Sequence, residues 1–265
     1  RHGFVESWAD RMRRVGFGRV ELAGLTVNYR TPAEIMAEAA PGTDEIQFVR
    51  EGAVARLFLA RPKAINALNL PMIKGISALL NEWAGDDGVQ TVTIEGAGAR
   101  GLCAGGDVVA VRRAHLEGED HLLFFREEYD MDALLADYPK PVVAFQDGIV
   151  MGGGVGVSEP ADVRIATERT TYAMPETGIG LFPDVGGGWF LPRLPGQTGV
   201  WIGLTGARLK AADTVALGIH THFMTAEGLA GFSALRAVAG FLPGVLRALG
   251  GAGVSSPWPA GGTRR

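Results

Sequence analysis

Two carboxylates, Glu176 and Asp184, each follow a proline and stand eight residues apart across a glycine-containing turn. Carboxyl groups held near one site push each other's pKa values apart, so that one serves as acid and the other as base or nucleophile. Upstream lie two glycine loops, Cys103-Ala104-Gly105-Gly106-Asp107 and Met151-Gly152-Gly153-Gly154. Glycine lets backbone approach a ligand closely. N–H groups from two strand-to-helix junctions can converge on one oxygen, an oxyanion hole made without side chains. Taken singly, each loop also fits a plain tight turn, and an isolated carboxylate is most often a solvated surface group.

Such groups need a frame to hold them. Ile46, Phe48 and Val54 to Leu59 flank Glu51-Gly52, which predicts a hairpin. Met72, Ile73, Ile76, Leu79, Leu80 and Trp83 recur at helical spacing, with Asn69 placed to cap the start and Gly85 just past the end. Val89 to Glu95 reads as a strand leading into the first glycine loop. A second long helix is expected over His121 to Tyr138, with Phe124, Phe125, Met131, Leu134, Leu135 and Tyr138 inward. At about 100° per residue Glu128 points into that stripe, where a charge needs a partner or a task. Val142 to Phe145 is a buried strand, Gly148 to Gly154 opens another helix, and Val163 to Ala166 is a short strand. Strands alternating with helices give an α/β class. Residues 1–42 read as an arm or linker with a short helix over Arg30 to Gly42. Residues 43–223 form the core, and 224–265 an Ala/Gly-rich, partly disordered tail.

Composition removes whole classes of function. With 265 residues, 47% hydrophobic and 20% charged, the chain is long and apolar enough for a sizeable core. A net charge of −4 argues against a nucleic-acid binder. The single cysteine, Cys103, excludes an internal disulfide framework and a thiolate metal cage, and it reads as a packed small residue. No membrane span is expected, because Arg236 and Pro243 break the longest apolar stretch. The glycine runs lack the following acid of a dinucleotide fingerprint, and Gly156-Val157-Ser158-Glu159-Pro160 is not a nucleophile elbow. No histidine pattern near the glycine loops suggests a metal. Arg164, Arg193 and Arg208 read as structural or solvated.

Several stretches together resemble the enoyl-CoA hydratase/isomerase (crotonase) superfamily. They are RPKAINALN (Arg61 to Asn69), GLCAGGD (Gly101 to Asp107), PKPVVAFQDGIVMGGGVG (Pro139 to Gly156) and LTGARLKAADTVALGIHTH (Leu204 to His222). FFREEY (Phe124 to Tyr129) and AMPETGIGLFPDVGGGWFLPRL (Ala173 to Leu194) are similar to its 3-hydroxyisobutyryl-CoA hydrolase branch. The resemblance implies a spiral of repeated ββα units and an acyl-CoA thioester as ligand, with no separate cofactor because coenzyme A is part of the substrate. It implies oxyanion donors at Gly106 and Gly153. It also implies substrate contacts or catalysis at Glu128, Gly153, Glu176 and Asp184, and a CoA-holding loop at Lys63, Ala64, Asn66 and Leu68.

Hydratases of the superfamily carry glutamate where this chain has Gly156, and usually glycine where it has Asp184. The resemblance therefore implies hydrolysis of a short hydroxyacyl-CoA, 3-hydroxyisobutyryl-CoA first, rather than hydration. Another activity of the superfamily is the alternative. So is a catalytically weak acyl-CoA-binding relative, because the branch's usual C-terminal part is not recognisable after His222. A cytoplasmic location, or the mitochondrial matrix in a eukaryote, is expected, and a homo-oligomer is compatible with the family.

Overall fold

The computed structural model describes residues 37–229 of the chain. Two sheets carry the architecture. The larger runs in the order β1 (Glu38–Ala39), β2 (Ile46–Glu51), β3 (Val54–Leu59), β4 (Thr91–Gly96), β6 (Val142–Gln146), β8 (Val163–Ala166) and β11 (His222–Phe223). Its first two pairings are antiparallel and those from β3 onward are parallel. The smaller sheet runs β10 (Leu209–Lys210), β9 (Thr171–Ala173), β7 (Ile149–Met151), β5 (Gly101–Cys103), with β5, β7 and β9 parallel and β10 antiparallel. The chain alternates between them: β4 then β5, β6 then β7, β8 then β9. Each pair delivers one long strand to the large sheet and one short strand to the small sheet, the ββα repeat expected from the sequence.

Helix α1 (Leu70–Ala84) begins where Asn69 accepts a hydrogen bond from the Met72 N–H at 3.0 Å. Its predicted stripe, Met72 through Trp83, is fully buried. Each such side chain contributes about 1.5–3 kcal/mol through burial, and the helix packs against α3 (Leu122–Ala136). No helix among the described residues is long and apolar enough to cross a membrane.

The structure departs from the sequence reading in four places. Where a helix was expected over Arg30 to Gly42, Glu38–Ala39 is strand β1 on the edge of the large sheet, and Ala40 is buried in the core. Residues 30–36 of that expected helix lie outside the described residues. Helix α2 (Val108–Leu116) has no buried residue and hence no apolar period to betray it. The run Gly148 to Gly154 is strand β7 first, and only Gly153–Gly156 (α4) is helical. At the far end the packed core passes His222: Met224 and Leu229 lie against Val143, Phe145, Val163 and Ile165. The rest of the expected tail, 230–265, lies outside the described residues.

Candidate active site

Three short parallel strands end side by side, and the residues just past them form the site. After β5 come Gly105 and Gly106; after β7, Gly152 and Gly153; after β9, Pro175 and Glu176. Because β7 lies between β5 and β9, Gly153 is flanked by Gly106 on one side and Glu176 on the other. Carboxyl ends of parallel strands are where α/β sheets place ligands, since loops there are free to vary above a fixed frame.

The backbone is held open by missing side chains. A Cβ on Gly153 would lie 3.2 Å from the Gly106 nitrogen and would collide with Glu128 Oε1. The two amides are therefore neighbours. Gly153 is the first residue of α4, so its N–H lacks an intrahelical acceptor. Gly152 has φ +51°, and a Cβ there would stand 3.0 Å from Glu176 Oε1.

Four carboxyl groups surround this backbone. Glu128 is 2% exposed and its Oε1 has no hydrogen-bond partner. Burial, then the charges of Asp132, Asp184 and Glu176, push it up to about 9. Glu176 opens the 3₁₀ turn Glu176–Ile179 and is 6% exposed. Burial, with a further contribution from Asp184, pushes it up to about 7 despite an opposing hydrogen bond from its own backbone. Asp184 is half-buried and accepts the Tyr129 hydroxyl at 2.7 Å. Burial raises its pKa, while that hydrogen bond opposes the rise. Val185, beside it, has φ +41°, an unusual conformation for a β-branched residue that fixes the turn at the site.

The fourth carboxyl, Asp132, went unnoticed in the sequence. It sits one helical turn beyond Glu128 on α3, 9% exposed, with both oxygens unpartnered. Burial and then Asp184 raise its pKa well above the usual range. The signal was there to find, since position i+4 shares a face with the already suspect Glu128. Asp132 also occupies the space next to Gly156: a Cβ at that glycine would meet Val185 Cβ at 2.7 Å and Asp132 Oδ2 at 2.8 Å.

The Lys63 to Leu68 loop is strapped to the first glycine loop. The Ala104 N–H donates to the Ile65 carbonyl at 2.9 Å, Leu68 N–H to Gly105 at 2.8 Å, and Asp107 N–H to Leu68 at 2.7 Å. Lys63 is exposed and Ala64 half-buried. Asn66 and Leu68 are fully buried. The Asn66 amide is spent on the Ala97 and Gly101 carbonyls and its oxygen on the Arg61 N–H. Their side chains serve the fold, not a ligand, which narrows the expected contact set to Lys63, Ala64 and backbone. Cys103 packs in the core, and burial pushes its thiol up to about 12.

A family model described as enoyl-CoA hydratase/isomerase matches residues 54–240. The 3-hydroxyisobutyryl-CoA hydrolase, mitochondrial, of Danio rerio is 50% identical over 186 residues, covering 69% of this chain and 48% of that protein. The small ribosomal subunit protein mS47 of Neurospora crassa is 40% identical over 240 residues, covering 86% of this chain and 47% of that protein. The crystal structure of a carnitinyl-CoA dehydratase from Mycobacterium thermoresistibile superposes with a TM-score of 0.73 at 42% identity, over 78% of this chain and 61% of that one. The chain spans about half the length of the curated relatives it matches.

Proposed function

The chain belongs to the enoyl-CoA hydratase/isomerase family, and from that premise we propose that it hydrolyses a short hydroxyacyl-CoA thioester, 3-hydroxyisobutyryl-CoA in the first place. The observation that carries this reading is the carboxyl of Glu176, pushed up to about 7, set against the backbone of Gly152 and beside the neighbouring amides of Gly153 and Gly106. Near neutral pH such a group is ionised in a large fraction of molecules and still basic enough to act. The half-length match to relatives named as 3-hydroxyisobutyryl-CoA hydrolases supports the same substrate.

In this mechanism the thioester carbonyl oxygen lies between the N–H groups of Gly106 and Gly153, which stabilise the negative charge of the tetrahedral intermediate. Glu176 either attacks the carbonyl carbon, giving an anhydride that water then opens, or takes a proton from the attacking water. The C–S bond breaks, and CoA leaves as the thiol after protonation. Asp184, steadied by Tyr129, holds Glu176 in register and assists that protonation. Glu128 lines the acyl pocket as a neutral acid. Lys63 and Ala64 meet the CoA nucleotide. No cofactor enters, since coenzyme A arrives with the substrate. The mitochondrial names of several relatives support a mitochondrial location for the chain in a eukaryote.

The similarity to a ribosomal subunit protein over most of the chain favours one second reading, a non-catalytic member kept for assembly. Free-thiol release separates the two. The hydrolase reading expects release from 3-hydroxyisobutyryl-CoA and none from crotonyl-CoA, with Glu176→Gln slower by about 10²–10⁴-fold. Full rates in folded Glu176→Gln and Asp184→Asn variants would sink it. After single turnover in ¹⁸O-water, label in the Glu176 carboxyl identifies the covalent route with water opening the anhydride at Glu176, since the general-base route places label only in the product acid.

A further inference from the structure

Between α3 and the segment from Phe182 to Trp189 a cavity of about 440 Å³ opens, and most of its lining is apolar: Ala133, Ala136, Pro160, Val185 and Phe182 among others. Three polar side chains converge in it, Tyr129, Asp132 and Asp184. A largely apolar pocket with a few convergent polar groups is the usual form of a small-ligand site, the polar groups setting orientation and selectivity. Two of the three already satisfy each other, because the Tyr129 hydroxyl donates to Asp184. Asp132 is different. Both of its oxygens are buried and unpartnered, a costly state that a ligand group can relieve.

We propose that Asp132 is a specificity-determining residue, hydrogen-bonding an uncharged hydroxyl on the acyl chain and so separating hydroxyacyl from plain acyl thioesters. The proposal rests on the thioester reading above and extends it. Three observations support it. Asp132 lies on the same face of α3 as Glu128, so it belongs to the wall that borders Gly153. Gly156 leaves room for its carboxyl, and any side chain at 156 would displace it. Burial, then Asp184, raises its pKa well above the usual carboxylate range, and a carboxyl that holds its proton donates through O–H and accepts through C=O, the complement of a hydroxyl. Among the described residues no group of three or more acids, histidines or cysteines is placed to hold a metal ion.

Binding tests this without turnover. Calorimetry on the 265-residue chain would compare the CoA thioethers of the 3-hydroxyisobutyl, isobutyl and 3-aminoisobutyl groups. The wild type is expected to prefer the hydroxyl analogue over the plain one by about tenfold, the worth of roughly one hydrogen bond. Asp132→Leu should bring that ratio close to one, while Asp132→Asn, which still donates and accepts, should keep most of it. An unchanged ratio in Asp132→Leu, an equal loss for both analogues, or tightest binding of the ammonium analogue would overturn the proposal. A chain that shows the Asp132-dependent ratio but releases no thiol sinks the hydrolase reading alone. Failure to bind any analogue sinks both.

Discussion

Two buried polar clusters in the molecule are built on opposite terms. Behind β8, Arg164 is fully buried, yet it is well supplied with partners. Its Nε donates to the Ile219 carbonyl at 2.6 Å, and its Nη1 donates to Ala161 at 2.6 Å and to Glu159 at 3.2 Å. Glu159 stands 3.7 Å away as counter-charge. At the strand ends, Glu128, Asp132, Glu176 and Asp184 face one another with Tyr129 as the hydroxyl donor. The first cluster fastens residues 219–222 to the sheet. Both keep unpartnered buried atoms, Arg164 Nη2, the Glu159 carboxyl and the His220 ring nitrogens in the first and Glu128 Oε1, Glu176 Oε2 and both Asp132 oxygens in the second, but only the first holds a cation among its acids. A cation with its acceptors around it marks structure, and carboxyls crowded without one mark a place where a ligand completes the bonding.

The strongest way to break this contrast is to remove the cation. Arg164→Met leaves Glu159 buried and uncompensated, and the cost should be about 3–5 kcal/mol in urea denaturation. A loss under about 1 kcal/mol would show that the Arg164 cluster is not the anchor it looks like.

The pH dependence of stability sharpens the contrast further: the acid limb comes from the first cluster, and the alkaline limb mainly from the second. His220, buried beside Arg164, is held down to about 3 by burial and then by the guanidinium. The unfolded chain therefore binds more protons below the ordinary histidine range, and stability is lost as pH falls. Glu128 and Glu176 are raised to about 9 and about 7. Here the folded chain binds more protons, so their stabilisation is complete below the usual carboxylate range and is lost as pH climbs towards those values. Glu159, pushed up to about 7 by burial against the pull of Arg164, adds to the alkaline loss. Thermal unfolding should show a maximum in mildly acidic solution and a decline of several kcal/mol by about pH 8. His220→Gln should flatten only the acid limb. A wild-type profile that rises steadily to pH 9 would contradict the assignment.

The smallest effect belongs to Glu128→Gln. Below the usual carboxylate range Glu128 is protonated in the folded and the unfolded chain alike, so its change to an amide should alter stability there by less than about 1 kcal/mol. The alkaline decline should become shallower. An alkaline decline as steep as that of the wild type would mean that Glu128 does not keep its proton in the folded chain.

Long elements with a clean period were legible in the sequence. The stripe of α1, its Asn69 cap and the β2–β3 hairpin follow from residue spacing alone, and Glu128 follows from helical geometry. The small sheet was not legible. Its strands β5, β7 and β9 are three residues each and two of them run into glycine, so neither alternation nor length distinguishes them from loop. Yet these strands set Gly106, Gly153 and Glu176 side by side. The sequence supplied candidates for the site, and tertiary pairing supplied their order. Asp132 escaped for a related reason: a polar residue on a helix reads as solvated until the opposing wall, here Gly156 and Val185, is known.

The straps between the Lys63–Leu68 loop and Gly105–Asp107 have a mechanical meaning. Three backbone hydrogen bonds join the two loops within a few residues, two of them directly flanking Gly106. Displacing one loop therefore means moving the other or breaking bonds on either side of the amide. The two behave as one stiff body, pivoting on the end of β5. On the proposed reading, hold on the distant end of a long ligand at the exposed Lys63 and the aim of the Gly106 N–H at its reacting end are coupled through these bonds.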